Sequence, residues 1–308
     1  MTNDTTTTRA TSGMGAALVS AWSFGLAGPL ARGLMDAGWS PAAAVVMRIL
    51  VAAAVLLPGA AVALRGRWAG VCRHLPLMAL YGIVPVAGAQ FGYFNAVLHM
   101  PVGVAILVEF TAPVAVVGWL WLRHRQRPTR ATVVGAAVAA VGLLLVLDLT
   151  SSTSVSAIGV AWALVAMLGA SFYFVLSSRV DDGLPGIVLA AGGLTVGGTV
   201  LLLAGVAGIV PLAVSTAPVA LGGAVLPWWV VVALLGVVTA ALGYVSGIAA
   251  TRRLGARLAS FVALSEVLAA LVFAWLLLGE VPRGVQLLGG VLVVVGVVAV
   301  RRGEPAAD

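Results

Sequence analysis

Apolar runs of about twenty residues, parted by short polar joints, recur ten times between Gly15 and Val300. Runs of that length suffice to cross a bilayer as helices. The pattern predicts spans at Gly15–Leu34, Pro41–Leu64, Leu75–Val97, Val102–Leu122 and Ala131–Leu149, then at Ala157–Ser178, Pro185–Val210, Pro227–Ala250, Arg257–Leu278 and Gly284–Val300. Pro41, Pro101, Pro185 and Pro227 fall where helices start. The Thr-rich stretch 1–14 reads as a disordered cytoplasmic tail, and 301–308 as a second one. The first apolar run exceeds the hydrophobic stretch of a signal peptide and is read as span 1.

The joints alternate in charge. Arg65, Arg67 and Arg73, then Arg123, Arg125, Arg127 and Arg130, then Arg252 and Arg253, then Arg301 and Arg302 mark one side. Asp36, Asp148 and Glu280 mark the other. Positive charge is retained on the cytoplasmic side, so both termini are expected there, and the Ser/Thr-rich loop 150–156 outside.

A repeat with a fixed offset follows. Pro128, Gly135 and Gly142 match Pro282, Gly289 and Gly296 in spacing. Glycines seven apart share one helix face and permit close packing. Two halves of five spans, 15–149 and 157–300, must run through the membrane in opposite directions. The fold class is thus an all-α polytopic membrane protein, ten transmembrane helices in two inverted five-helix repeats. That architecture places a solute site at the interface of the halves near the midplane.

Composition narrows the function. The 308 residues are 62% hydrophobic and 9% charged, too poor in charge for a soluble domain. The net charge of +7 comes from arginines in the joints and serves orientation, so no nucleic-acid partner is expected. Cys72 is the single cysteine, which excludes an internal disulfide. His74, His99 and His124 fall in or beside joints on different sides, so no metal site or cofactor is expected. No nucleophile elbow, P-loop or HExxH pattern is present, and an enzyme is not expected.

Ionisable groups inside spans are the candidate chemistry. Glu109 and Glu266 lie mid-span at matching places in the two halves, where insertion scales charge about 2.5–3.5 kcal/mol for a group such as Asp. Arg48 lies in span 2 at nearly the depth of Glu109, and the two are expected to form an ion pair. Functionally the pair would clamp a zwitterion, Arg48 taking a carboxylate and Glu109 an ammonium group. Structurally it would only fix helix packing. Glu266 has no visible cation in its own half and is a candidate proton carrier, with Glu109 as a second proton-coupling candidate. Its structural reading is a carboxyl group bonded to a helix carbonyl. Gln90, Asn95, Tyr173 and Tyr244 are candidate substrate contacts or plain interhelical hydrogen bonds. Trp22, Trp162 and Trp275 read as packing or interface residues. The Arg123–Arg130 cluster is a candidate for anionic lipid headgroups, although its topological role suffices without them.

The run Gly103-Val104-Ala105 with Glu109-Phe110-Thr111-Ala112-Pro113 resembles span 4 of the threonine/homoserine exporter branch of the drug/metabolite transporter superfamily. Leu278-Gly279-Glu280 before a Gly-patterned last span is similar to the end of an EamA repeat, and Arg48 matches a frequent Arg of that repeat. At the same offset from Pro185 stands Gly192. The resemblance implies a secondary transporter exporting small amino-acid-like metabolites across the bacterial cytoplasmic membrane by alternating access, with a small-molecule substrate, membrane lipid and protons as partners. Substrate, direction, coupling ion and oligomeric state stay open. The rivals are a permease for drug-like or other metabolites, needing the carboxylates but not Arg48, and a non-transport membrane enzyme or assembly scaffold.

Overall fold

The computed structural model describes residues 2–65, 68–99, 108–125, 128–147, 156–178, 184–279 and 281–303. The start of span 4, residues 150–155 of the loop, and Arg67, Arg127, Asp148 and Glu280 lie outside them.

The first half holds α1 (Thr2–Gly25), α2 (Ala27–Asp36), α3 (Pro41–Leu64), α4 (Trp68–Tyr81), α5 (Ala89–His99), α6 (Ala112–His124) and α7 (Arg130–Leu147). The second holds α8 (Ala157–Ser177), α9 (Gly186–Val206), strands β1 (Val219–Leu221) and β2 (Ala224–Leu226), α10 (Trp228–Gly236), α11 (Gly243–Ala263), α12 (Ser265–Leu278) and α13 (Gly284–Gly303). Seven helical segments among the described residues are long and apolar enough to cross a membrane, and three shorter apolar helices accompany them.

Local chemistry sets several boundaries. Ser40 caps α3, its Oγ accepting from the Ala43 amide at 3.2 Å, and Pro41 opens the helix with a preset φ. Gly279 ends α12 at φ +72°. Span 1 breaks at Leu26 between α1 and α2. Contrary to the expected disordered tail, α1 starts at Thr2. Its early turns dock on α11, where Arg253 Nη1 donates to the Ser12 carbonyl, and each further turn then needs only one more hydrogen bond per residue.

Spans 3 and 8 are each interrupted by a π-helical segment, Gly82–Gly88 between α4 and α5 and Val237–Leu242 between α10 and α11. Pro85 accounts for the first, since it cannot donate the bond an α-helix requires there. In the second, the Thr239 hydroxyl donates to the Leu235 carbonyl at 2.6 Å and takes up an acceptor that the wider turn loosens.

The glycine strips pack against each other. A methyl group on Gly142 would lie 2.6 Å from the Val293 nitrogen and 2.7 Å from the Gly289 oxygen. One on Gly135 would lie 2.7 Å from the Gly296 oxygen. The last helices of the two halves, α7 and α13, therefore touch backbone to backbone.

The contacts sort the chain ends into two poles. At one, Arg253 meets Ser12, Arg252 Nη1 donates to the Leu184 carbonyl, and Gly303 abuts Thr129. At the other, a hairpin absent from the sequence expectation folds over α2. Gly222 and Gly223, at φ +57° and +81°, supply its two-residue turn, which needs positive φ at both places. Val219 and Leu221 pack with Leu30, Leu34 and Trp39, and the Gly222 amide donates to the Leu277 carbonyl at 2.6 Å.

Candidate functional site

Both halves of the chain contribute to a cavity of about 720 Å³. Its walls are largely apolar, and Arg48, Gln90, Glu109, Tyr173, Tyr244 and Glu266 all line it. Six of the seven residues singled out from sequence thus converge. Asn95 does not line it: its amide donates to the Phe91 carbonyl one turn back on α5 at 2.8 Å. Toward the hairpin pole the lining reaches Arg32 and Met35, and Arg32 is paired with Asp36 at 3.1 Å on an exposed face. Toward the arginine pole it stops at Ala17 and Thr251, 5% and 1% exposed. The opening therefore faces the hairpin pole.

Each glutamate sits beside a break in its span. Before α6 the Thr111 amide donates to the Val108 carbonyl, and the Thr111 hydroxyl donates to the same oxygen at 2.6 Å. Between α11 and α12 the Leu264 amide donates to the Phe261 carbonyl, and the Ser265 hydroxyl donates to the Val262 carbonyl at 2.7 Å. Broken helices of this kind are tolerated at membrane depth where they line a cavity. Pro128 and Pro282 set an offset of 154, which carries Val108 onto Val262 and Thr111 onto Ser265. It carries Glu109 onto Ala263, three residues before Glu266. The carboxylates are therefore not at matching positions. They straddle equivalent breaks, one on each side.

The expected Arg48–Glu109 ion pair is not formed. No contact within 4.0 Å joins them. Arg48 is 8% exposed, and its Nη2 donates to the Thr239 carbonyl of the second π segment at 2.9 Å. Its guanidinium carbon stands 5.6 Å from the centre of the Phe24 ring, a cation–π distance. Its Nε has no hydrogen-bond partner. Glu266 was expected to lack a cation in its own half; the cation within its electrostatic reach is Arg48, which comes from the first half. The reason is one of register: π segment and arginine are 191 residues apart in sequence and adjacent in space.

Aromatic rings form one wall. Tyr244 meets Phe24 edge-on at 5.2 Å and Tyr173 at 5.7 Å, and Tyr173 leads on to Tyr81 at 6.0 Å. The Tyr81 hydroxyl and Ser177 Oγ, 3.2 Å apart, close this column near the end of α8. Gln90 and Tyr244 line the cavity within electrostatic reach of one another. Tyr93, not foreseen, lines the cavity within electrostatic reach of both glutamates. Phe24 and Ser20 were also missed, although with Ala17 and Ala21 they make an i, i+3, i+4, i+7 face on α1 that turns to the cavity. Trp22 and Trp275 are about half exposed on the outer surface, and Trp162 packs on Phe91 at 5.4 Å.

Comparison with known proteins agrees with this layout. Residues 11–148 and 157–302 each match the model of the EamA-like transporter family. A solved structure titled "Crystal structure of protein" is similar over 97% of this chain and 99% of its own, at 20% identity and a TM-score of 0.70. At that identity the likeness concerns the fold alone. Among curated proteins no match is found.

Proposed function

Because the chain belongs to the EamA-like transporter family, we propose that the cavity between its halves binds a small amino-acid-like metabolite and exports it across the bacterial cytoplasmic membrane by alternating access. In this reading the chain crosses the bilayer ten times, with both termini and the arginine pole in the cytoplasm. The observation that carries it is the convergence of Arg48, Glu109 and Glu266 on one cavity with apolar walls. A buried guanidinium with an unused Nε suits a carboxylate, and the glutamates suit an ammonium group. The resemblance of span 4 to the threonine/homoserine exporter branch points the same way. Two carboxylates in one another's electrostatic reach can also exchange a proton for the ammonium group, which would couple export to the proton gradient through Glu266. Rocking of one half against the other would close the hairpin pole and open the arginine pole.

A second reading, efflux of an organic cation, is favoured by one observation: Arg48 already has a backbone acceptor and an aromatic face, so the cavity could present its carboxylates alone. Growth-tolerance screening of an expressing strain against toxic amino acids, amines and other metabolites separates the two. Export of amino-acid-like solutes predicts tolerance to toxic amino acids, lost in Glu109→Gln. Tolerance restricted to amines would favour the second reading.

A further inference from the structure

An arginine buried in a cavity with two carboxylates would be expected to pair with one of them, because its charge is costly to leave uncompensated. Arg48 does not. It is turned aside by two groups from different halves. The Phe24 ring of α1 covers one face of the guanidinium, and the Thr239 carbonyl takes Nη2.

Both groups are themselves held. Tyr244 meets the Phe24 ring edge-on at 5.2 Å, and a methyl group on Gly243 would lie 3.2 Å from that ring. Thr239 is fully buried, and its hydroxyl is tied to the Leu235 carbonyl. Neither group can follow Arg48 if it moves, so together they make a rigid seat.

We propose that Phe24 is a positioning residue which, with the Thr239 carbonyl, holds Arg48 off Glu266 and so keeps the guanidinium open to a substrate carboxylate. The site would otherwise neutralise itself, Arg48 closing on Glu266 and both losing their capacity for ligand. The proposal rests on the reading that Arg48 meets a carboxylate. It adds that selectivity for carboxylate-bearing solutes depends on a ring that need not touch them.

The test is a double-mutant cycle that needs no substrate. Thermal unfolding of the purified full chain in detergent is measured for Arg48→Met, Glu266→Gln and the double variant, in three backgrounds: wild type, Phe24→Leu and Phe24→Tyr. With the seat intact, in wild type and Phe24→Tyr, the two changes couple only weakly in Tm, because the charges are within electrostatic reach but not in contact. In Phe24→Leu the coupling grows by about 2 °C or more, because Arg48 has moved onto Glu266. A ring that merely fills space would lower Tm without changing the coupling, and equal coupling in all three backgrounds overturns the proposal. Where Arg48→Met does not fold, Arg48→Gln completes the same cycle.

Binding of L-leucine and 3-methylbutylamine, which differ only by the carboxylate, gives a second readout. Phe24→Leu weakens L-leucine binding about tenfold or more and the amine little. Phe24→Tyr restores it, and adding Glu266→Gln to Phe24→Leu recovers part of it. Equal loss for both probes counts against the seat. If the wild type binds neither probe, the amino-acid reading fails, and the unfolding cycle still decides the role of Phe24.

Discussion

The two halves share a scaffold and differ in chemistry. Spans 3 and 8 each carry a π-helical segment, and spans 4 and 9 each break beside a hydroxyl that takes an i−3 carbonyl. The glycine strips of α7 and α13 pack reciprocally. Yet Arg48 of span 2 has Gly192 as its counterpart in span 7, and the side chain of Met78 lies directly over that glycine. The glutamates stand on opposite sides of their breaks. Backbone features that let helices meet and bend are thus kept in both copies. Charged groups, costly at this depth, appear only where one copy has a use for them.

The largest expected effect tests the shared part. Gly142→Leu and Gly296→Leu stand at equivalent positions and press a side chain onto the opposing backbone. Each should cost about 3 kcal/mol or more, at the upper end of overpacking, and by similar amounts. Folded yield and Tm after detergent extraction would show it. A large loss in one and none in the other would break the symmetry of the scaffold.

A smaller effect tests the difference. Gly192→Arg restores the residue type that the repeat offset asks for, but its Cβ would collide with Met78. It should lower stability by about 1–3 kcal/mol and add no transport capacity. A stable variant with raised flux would show that the second half has room for the same chemistry.

The smallest concerns the breaks. Thr111→Val and Ser265→Ala each remove a hydroxyl from a carbonyl beside the break, and each should cost roughly 0.5–1.5 kcal/mol. Unequal losses, read from chemical unfolding, would mean that the breaks are alike in geometry but not in energy.

What the sequence made legible follows the same division. Seven-residue glycine spacing announced a closely packing face on α7 and on α13, because a helix face depends only on local period, but not that the two faces meet. That Glu109 and Glu266 face an internal cavity was legible from their placement inside apolar runs, since the cost of burial does not depend on the partner. Their three-residue shift is contained in the 154-residue offset set by Pro128 and Pro282, and only the side of the break on which each lies needs the structure between Phe261 and Ser265. The second π segment has no proline to mark it. Gly222-Gly223 did carry a turn signal between apolar residues, overlooked because span-length runs dominated the pattern. The partners of Arg48 were out of reach, because Thr239 offers only a backbone carbonyl and Phe24 reads as one more apolar residue.

The central claim is that the cavity shared by the halves is the transport site and that both glutamates work in it. The direct measurement is solute flux into proteoliposomes under an imposed pH gradient, comparing wild type, Glu109→Gln, Glu266→Gln and, as control, Asn95→Ala, which lies outside the cavity. The account predicts that each glutamate variant lowers gradient-driven flux by at least about tenfold, the equivalent of ~1.4 kcal/mol, while Asn95→Ala stays near wild type. Near wild-type flux in both glutamate variants, with the proteins folded and inserted, would contradict it.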